Sequence, residues 1–513
     1  MSINTLSFIS EQDLTHSKLA LSERYNCYAE SQLVDSFLDT EDEDLALKMW
    51  LDIHDVVNIK NTNKSELISL ILSAISSIDE KVNSQVNEIL HHVSFKKLEA
   101  SWLGLKYLAE QEHEYDTEQK CKIKLLHLTW QELSRDCAKA IDFDQGEFFR
   151  IIYNNEFNIA GGEPFGLLIG DYKITHQVQK NITVNDVDTL RIVMQTAAAA
   201  FAPFITSADP SLLGVDAFSE LASINNIDSH FEQLEYINWQ NLRKMEDAKF
   251  LGLTLPDILL RSPYEPDGSR REGFLFKESN QFTDTDYLWG NAAYSFAAVT
   301  IRAYCESGWF SHIRGIQSGK YRQGLVVKVP QSHFCVTRRL TKNKMSVNLQ
   351  VGDKLEKQLA DNGFIPVASV SETEFLSFYS NASVNEPKKY TSTSDTINAR
   401  LASMLQYILC VSRFAHYIKV MGRDRIGSFE SAEQIEHYFQ RWLHSYTTST
   451  EEVSDEIRAR FPLSEARIQV KETVGKSGHY YSVVHLRPHF QLDQMISNIR
   501  LITELSPILN RNG

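Results

Sequence analysis

Four short stretches carry residue types that could do chemistry. Val474-Gly475-Lys476-Ser477 has the closing residues of a phosphate-binding loop, in which glycine backbone cradles phosphate and a lysine reaches its outer oxygens. That loop needs a glycine five positions before Gly475. Val470 stands there, so the pattern fails. His485 and His489 have the four-residue spacing that brings two imidazoles to one metal on a helix. Here Arg487-Pro488 lies between them, which fits a strand running into a turn, and stacking or hydrogen bonding is the better reading. His91 and His92 are adjacent, so on a helix they point in different directions. Gly161-Gly162 and Pro164 stand beside an apolar run, but with neither GxGxxG nor a following Lys-Ser/Thr they make a structural turn. A Ser/His/Asp set is assembled in space and not in sequence, so it stays open, although no GxSxG or HExxH occurs. The expectation is a chain with no catalytic residue, no cofactor and no metal.

The elements around these residues say more. Residues 466–505 predict a strand, a glycine-containing turn, a second strand and a short helix. Ile468, Val470, Glu472 and Val474 alternate with Gln469, Lys471 and Thr473, the period of a half-buried strand. Residues 480–486, with Tyr481, Val483 and His485 on one face, form the second strand, and Pro488 closes it. A two-stranded hairpin is marginal in water, so this one needs strands from elsewhere. Residues 493–505 are expected to be helical, with Met495, Ile496, Ile499 and Ile502 apolar and Asp493, Asn498, Arg500 and Glu504 polar.

Upstream, residues 1–58 form an acidic arm containing Glu41-Asp42-Glu43-Asp44. Its apolar residues, Leu14 and Leu19 in one segment and Leu33 and Phe37 in another, could be captured by a partner, or the arm could be simply solvated. Residues 59–385 are the main region. Leu67, Ile68, Ile71, Leu72, Ile75 and Ile78 set a helical period, and helix is predicted over 65–112, 130–140, 145–157, 187–204 and 287–309. Strands are predicted over 122–129, 165–169, 325–329, 332–338 and 363–370. Residues 386–396, EPKKYTSTSDT, are the clearest linker, and 397–513 form a C-terminal lobe with helices over 400–420 and 433–446. The class is α+β and multi-lobed, as 513 residues exceed one ordinary core.

Composition narrows the function. Hydrophobic residues are 42% and charged residues 23%, with no run of about 18 apolar residues, so no membrane insertion is expected. The N-terminus lacks a secretory signal, and six scattered cysteines without a CxxC fit a reducing cytoplasm. A net charge of −15 argues against nucleic acid as a partner. Arg270-Arg271 is too small a basic patch to reverse that.

In residues 95–505 the chain resembles a known family. SWLGLKYL (101–108), FGLLIGDY (165–172), FLGLTLP (250–256), LWGNAAYSFA (288–297), SGWFSHIRG (307–315), SRFAHYIKV and GRDRIGSF (412–429) and HLRPHFQLD (485–493) look like the large contractile-sheath subunit of bacterial type VI secretion systems, the TssC/VipB family. Leu103 stands where that family usually has arginine, and the first 60 or so residues carry no match.

The resemblance implies a structural subunit that pairs with a small sheath subunit (TssB/VipA-like) and stacks with neighbouring heterodimers on a baseplate around an inner tube (Hcp-like). Contraction would propel the tube and its effectors. An AAA+ unfoldase, ClpV-like or a general disaggregase, would recycle the sheath through the N-terminal arm. It further implies that the C-terminal hairpin is completed by small-subunit strands at Ile468, Val470, Glu472, Tyr481, Val483 and His485, and that Asp493, Arg500 and Glu504 face the tube. A sheath of a phage-tail-like machine, or a cytoplasmic hydrolase, are the other readings the residues allow.

Overall fold

A computed structural model gives the chain as mixed helix and sheet. It describes residues 36–53, 64–157, 159, 161–176, 185–264, 274–278, 287–310, 312–315, 324–337, 340–370, 373–425, 432–448, 455–472, 480–489 and 499–505. Two compact units are present, Met1–Ser84 with Arg270–Phe276, and Gln85–Ser269 with Lys277–Gly513.

The first unit holds helix α1 (Glu43–Ile53) and most of α2 (Lys64–Leu90). The acidic run predicted as part of the arm sits at the start of α1, where carboxylates favourably meet the positive end of the helix dipole. Helix α2 has the apolar stripe seen in the sequence but buries no residue; Ile68, Leu72 and Ile78 are exposed. The Asn83 side chain donates to Leu275 O at 2.8 Å.

In the second unit the chain continues through α3 (Val93–Tyr115), α4 (Trp130–Lys139), β1 (Leu168–Ile174), α5 (Asp186–Ala199), β2 (Phe204–Ala208), β3 (Leu251–Leu255), β4 (Ile258–Arg261), β5 (Leu288–Gly290), α6 (Ala293–Ser307), β6 (Leu325–Val326), β7 (Ser332–Thr337), β8 (Leu340–Lys344), α7 (Asp353–Asp361), β9 (Phe364–Ser369), β10 (Leu376–Phe378) and α8 (Thr393–Ala402). Six strands form the main sheet in the order β1-β2-β3-β9-β10-β6. The first four are parallel to one another, and β10 runs antiparallel to both of its neighbours, β9 and β6.

Strands β2 and β3 are buried along their whole length, as a sheet covered on both faces requires. The period of two sorts their side chains. Phe204, Leu251, Leu253, Leu255 and Phe364 pack with Leu190, Val193 and Met194 of α5. Ile205, Ile365 and Val367 pack with Phe296 and Ala297 of α6 and with Leu405. Gly252 stands on this second face. A Cβ there would lie 2.7 Å from Ile205 Cδ1 and 2.8 Å from Leu405 Cδ1, so only hydrogen lets the layer close.

The differences from expectation have local causes. Helix was predicted over 187–204, but α5 stops at Ala199. Pro203 disfavours helix before it, Phe201 turns at φ 50°, and Phe204 opens β2. The strand expected at 165–169 begins at Leu168 instead. The helix expected over 287–309 starts at Ala293, because Leu288–Gly290 pairs with β4; it ends at Gly308, left-handed at φ 78°. Residues 122–129, predicted as a strand, join no sheet among the described residues.

Candidate functional site

The C-terminal part of the second unit contains α9 (Leu405–Arg425), α10 (Ala432–His444), α11 (Asp455–Arg460) and a sheet of β11 (Leu463–Glu472), β12 (Tyr480–Pro488) and β13 (Ile499–Leu505). The predicted hairpin is present. Along β11, Ala466, Ile468 and Val470 are buried while Glu465, Arg467, Gln469 and Lys471 are exposed. The buried set packs on Ile435, Phe439 and Leu443 of α10 and on Phe414 and Ile418 of α9. The turn with Gly475-Lys476-Ser477, and Val474 beside it, lie outside the described residues.

The third strand corrects one expectation. Residues 499–505 were predicted as the end of a helix, but they form β13, antiparallel to β12, with Val483 opposite Ile502, His485 opposite Arg500 and Tyr481 opposite Glu504. Residues 499–505 fit either period, and short apolar runs do not decide between them. The unpaired donors and acceptors along β12 settle the matter, since each needs a partner when water is excluded. Asp493 lies outside the described residues, as do Leu14, Leu19 and Leu33; Phe37 is half-buried in the first unit.

Strand β12 is therefore central. Tyr481, Val483 and His485 have ladder partners on both sides. Ile468, Val470 and Glu472 lie on the outer strand β11. Its edge is covered by two side chains one turn apart on α10: Gln440 Oε1 accepts from Ile468 N–H at 3.0 Å, Glu436 Oε2 accepts from Val470 N–H at 2.9 Å, and Gln440 Nε2 donates to Ala466 O at 2.9 Å. No local pattern in the sequence signals this cover. The i, i+4 pair of polar residues on α10 is the only trace of it, and that spacing is common on helices.

His485 is exposed in the middle of β12. His489 is half-buried beyond it, its backbone N–H donating to Pro462 O at 2.9 Å; burial lowers its pKa, with Arg458 adding to the effect. Among the described residues no group of three or more His, Cys, Asp or Glu is placed to hold a metal ion, and no helix is long and apolar enough to cross a membrane.

A second constellation, missed in the sequence, fastens α9 to the end of α5 and to the region before β1. His416 Nε2 lies 2.8 Å from Ala200 O, Lys419 Nζ donates to Tyr153 OH at 2.6 Å, and Arg423 donates to Phe157 O at 2.8 Å. Lys419 also stands over the rings of Tyr153 and Phe157, at 4.6 and 4.8 Å from their centroids. The three residues recur at helical spacing on one side of α9. Burial pushes the His416 pKa down to about 4 from 6.5, the Ala200 carbonyl opposes this, and Arg413 and Lys419 reinforce it. The unfolded chain thus takes up a proton that the folded chain refuses. The stability that neutral His416 contributes is fully present above pH 6.5 and is lost as pH falls toward about 4. Thermal unfolding followed from pH 7 to 4 should show the midpoint falling across that window, with a shallower fall in His416→Gln.

Comparison with known proteins covers both halves of the chain. Residues 73–385 match the family described as EvpB/VC_A0108, tail sheath N-terminal domain. Residues 394–505 match EvpB/VC_A0108, tail sheath gpW/gp25-like domain. The chain is 35% identical over 445 residues to the type VI secretion system sheath protein TssC1 of Pseudomonas aeruginosa strain PAO1, covering 86% of this chain and 87% of that protein.

Proposed function

The chain belongs to the family of type VI secretion sheath large subunits, and from that premise we propose how its parts serve contraction. It is a structural subunit of the contractile sheath. The observation that carries this is the match to both sheath domains, in order, along one chain. The family implies a small sheath partner and assembly into a sheath.

In the finer reading, the heterodimer stacks in the cytoplasm into a helical tube around an inner tube protein, on a baseplate. A head-to-tail contact that does not close on itself generates such a filament. Strands of the small subunit extend the β11-β12-β13 sheet at its outer edges. On the β11 side, Ile468 and Val470 would exchange the side-chain acceptors Gln440 and Glu436 for carbonyls of the incoming strand, with Glu472 continuing the ladder, while Tyr481, Val483 and His485 hold the register from the centre. Asp493, Arg500 and Glu504 face the inner tube. The arm, through Leu14, Leu19, Leu33 and Phe37, is the handle for an AAA+ unfoldase.

Electron microscopy of this chain co-expressed with a small sheath subunit tests the reading. Hollow tubes that require both chains are expected. Tubes from this chain alone would indicate a single-chain sheath of another contractile machine, and a folded pair that forms no tubes would overturn the assignment. In the same preparation, deleting residues 1–58 should leave tubes intact and stop their ATP-driven disassembly.

A further inference from the structure

The outer edge of β11 is closed by the chain itself, from Leu463 to Val470. At its start Thr448 N–H donates to Leu463 O at 2.9 Å and Leu463 N–H donates to Tyr446 O at 3.3 Å, a parallel bridge formed just beyond α10. At its middle the Gln440 carboxamide bonds Ala466 O and Ile468 N–H at once, as the N–H and C=O of one residue in a parallel strand would. At its end the Glu436 carboxylate accepts from Val470 N–H. On the opposite side of the sheet, no strand lies beyond β13 among the described residues.

The cover is of two kinds. Residues 446–448 pair backbone to backbone. Glu436 and Gln440 are half-buried side chains on α10, while Ile435, Phe439 and Leu443 hold that helix on the sheet. Turning two side chains away therefore frees Ile468 and Val470 N–H and leaves the apolar contacts of α10 in place. An entering strand supplies these groups with hydrogen bonds that they already have. Main-chain pairing, which any strand can offer, then brings little net gain, and only a strand that also packs its side chains gains by entering. A bare edge would instead template pairing with a second copy of this chain.

We propose that Glu436 and Gln440 form a removable guard on the β11 edge, which refuses a second copy of this chain and yields to a strand of the small sheath subunit. This rests on the sheath reading above, and adds to it how wrong pairing is avoided before assembly.

The full chain carrying Glu436→Ala and Gln440→Ala tests this. Alanine is the best helix former, so the exchange does not itself weaken α10. In the chain alone, amide hydrogen exchange at 468 and 470 should be about tenfold faster or more than in the unaltered chain. Light scattering should show the variant associating with itself at concentrations where the unaltered chain does not. In tubes formed with a small sheath subunit, these amides should be equally slow in both, because the incoming strand supplies the acceptors. Glu436→Gln, which keeps an oxygen for Val470 N–H, should behave as the unaltered chain does. Should the double variant fail to melt cooperatively, Glu436→Ala read at 470 gives the same test.

Equal exchange in the two free chains overturns the inference, as does a variant that self-associates no more than the unaltered chain. So do variant tubes in which 468 and 470 still exchange fast, since α10 is then a permanent cover, and a folded variant that forms no tubes. Each of these leaves the sheath reading standing. An unaltered pair that forms no tubes overturns the sheath reading and this inference with it.

Discussion

Replacing Val483 with proline is expected to abolish tube formation by the sheath pair while the six-stranded sheet stays folded. Ile468 and Val470 point their N–H groups away from β12, toward Gln440 and Glu436. Alternation along the strand then turns Gln469 toward β12, where its partner is Val483. Proline at 483 removes the donor to Gln469 O and leaves a carbonyl unpaired in a sheet whose other face packs on α10. Loss of a ladder hydrogen bond costs about 0.5–1.5 kcal/mol, before any clash of the ring with the ladder. The effect is larger here than on a hairpin edge because β12 also carries β13, through Ile502 opposite Val483. Electron microscopy should show no tubes, and circular dichroism should retain a cooperative melt of the main sheet and its helices. Normal tubes from Val483→Pro would mean that this sheet has no part in assembly.

Trp309→Ala should lower stability by about 3–5 kcal/mol, the range for truncating a large buried aromatic residue. Trp309 is 6% exposed and stacks on Phe414 of α9, with ring centroids 4.4 Å apart and planes at 19°. Tyr446 meets it edge-on at 5.3 Å, and Trp442 meets Phe414 edge-on at 5.8 Å. The residue follows α6 by way of Gly308, while its ring lies in the core of α9, α10 and β11. One side chain therefore joins the helix against the main sheet to the C-terminal lobe. The loss should appear as a lower urea midpoint and weakened near-ultraviolet dichroism, with Trp309→Phe recovering part of it by keeping a ring on Phe414. An unchanged midpoint would show that the core refills the space.

Much of the fold was legible because local chemistry and tertiary demand agree. The alternation in 463–472 and the aromatic and β-branched run at 480–488 gave β11 and β12, and the apolar face of Phe439 and Leu443 gave α10. Gly308 announced the end of α6 by the one backbone conformation it tolerates best. Reading failed where two periods fit the same residues. The alanine run at 197–200 extended a helix into Phe204, although Pro203 had already made that unfavourable.

The candidate site divides in the same way. The sequence determined which residues can form strands there, that no phosphate loop could be built on Val470 and Gly475, and, by resemblance, the kind of assembly to expect. The tertiary structure decided who pairs with whom. It made residues 499–505 a strand on β12, set Gln440 and Glu436 on the β11 edge, brought Lys419 over Tyr153, and left 122–127 outside every sheet among the described residues. The reason is that periodicity and turn residues are written within a few positions of one another. Backbone donors are satisfied by whatever the fold brings near, and nothing local in the sequence names that partner.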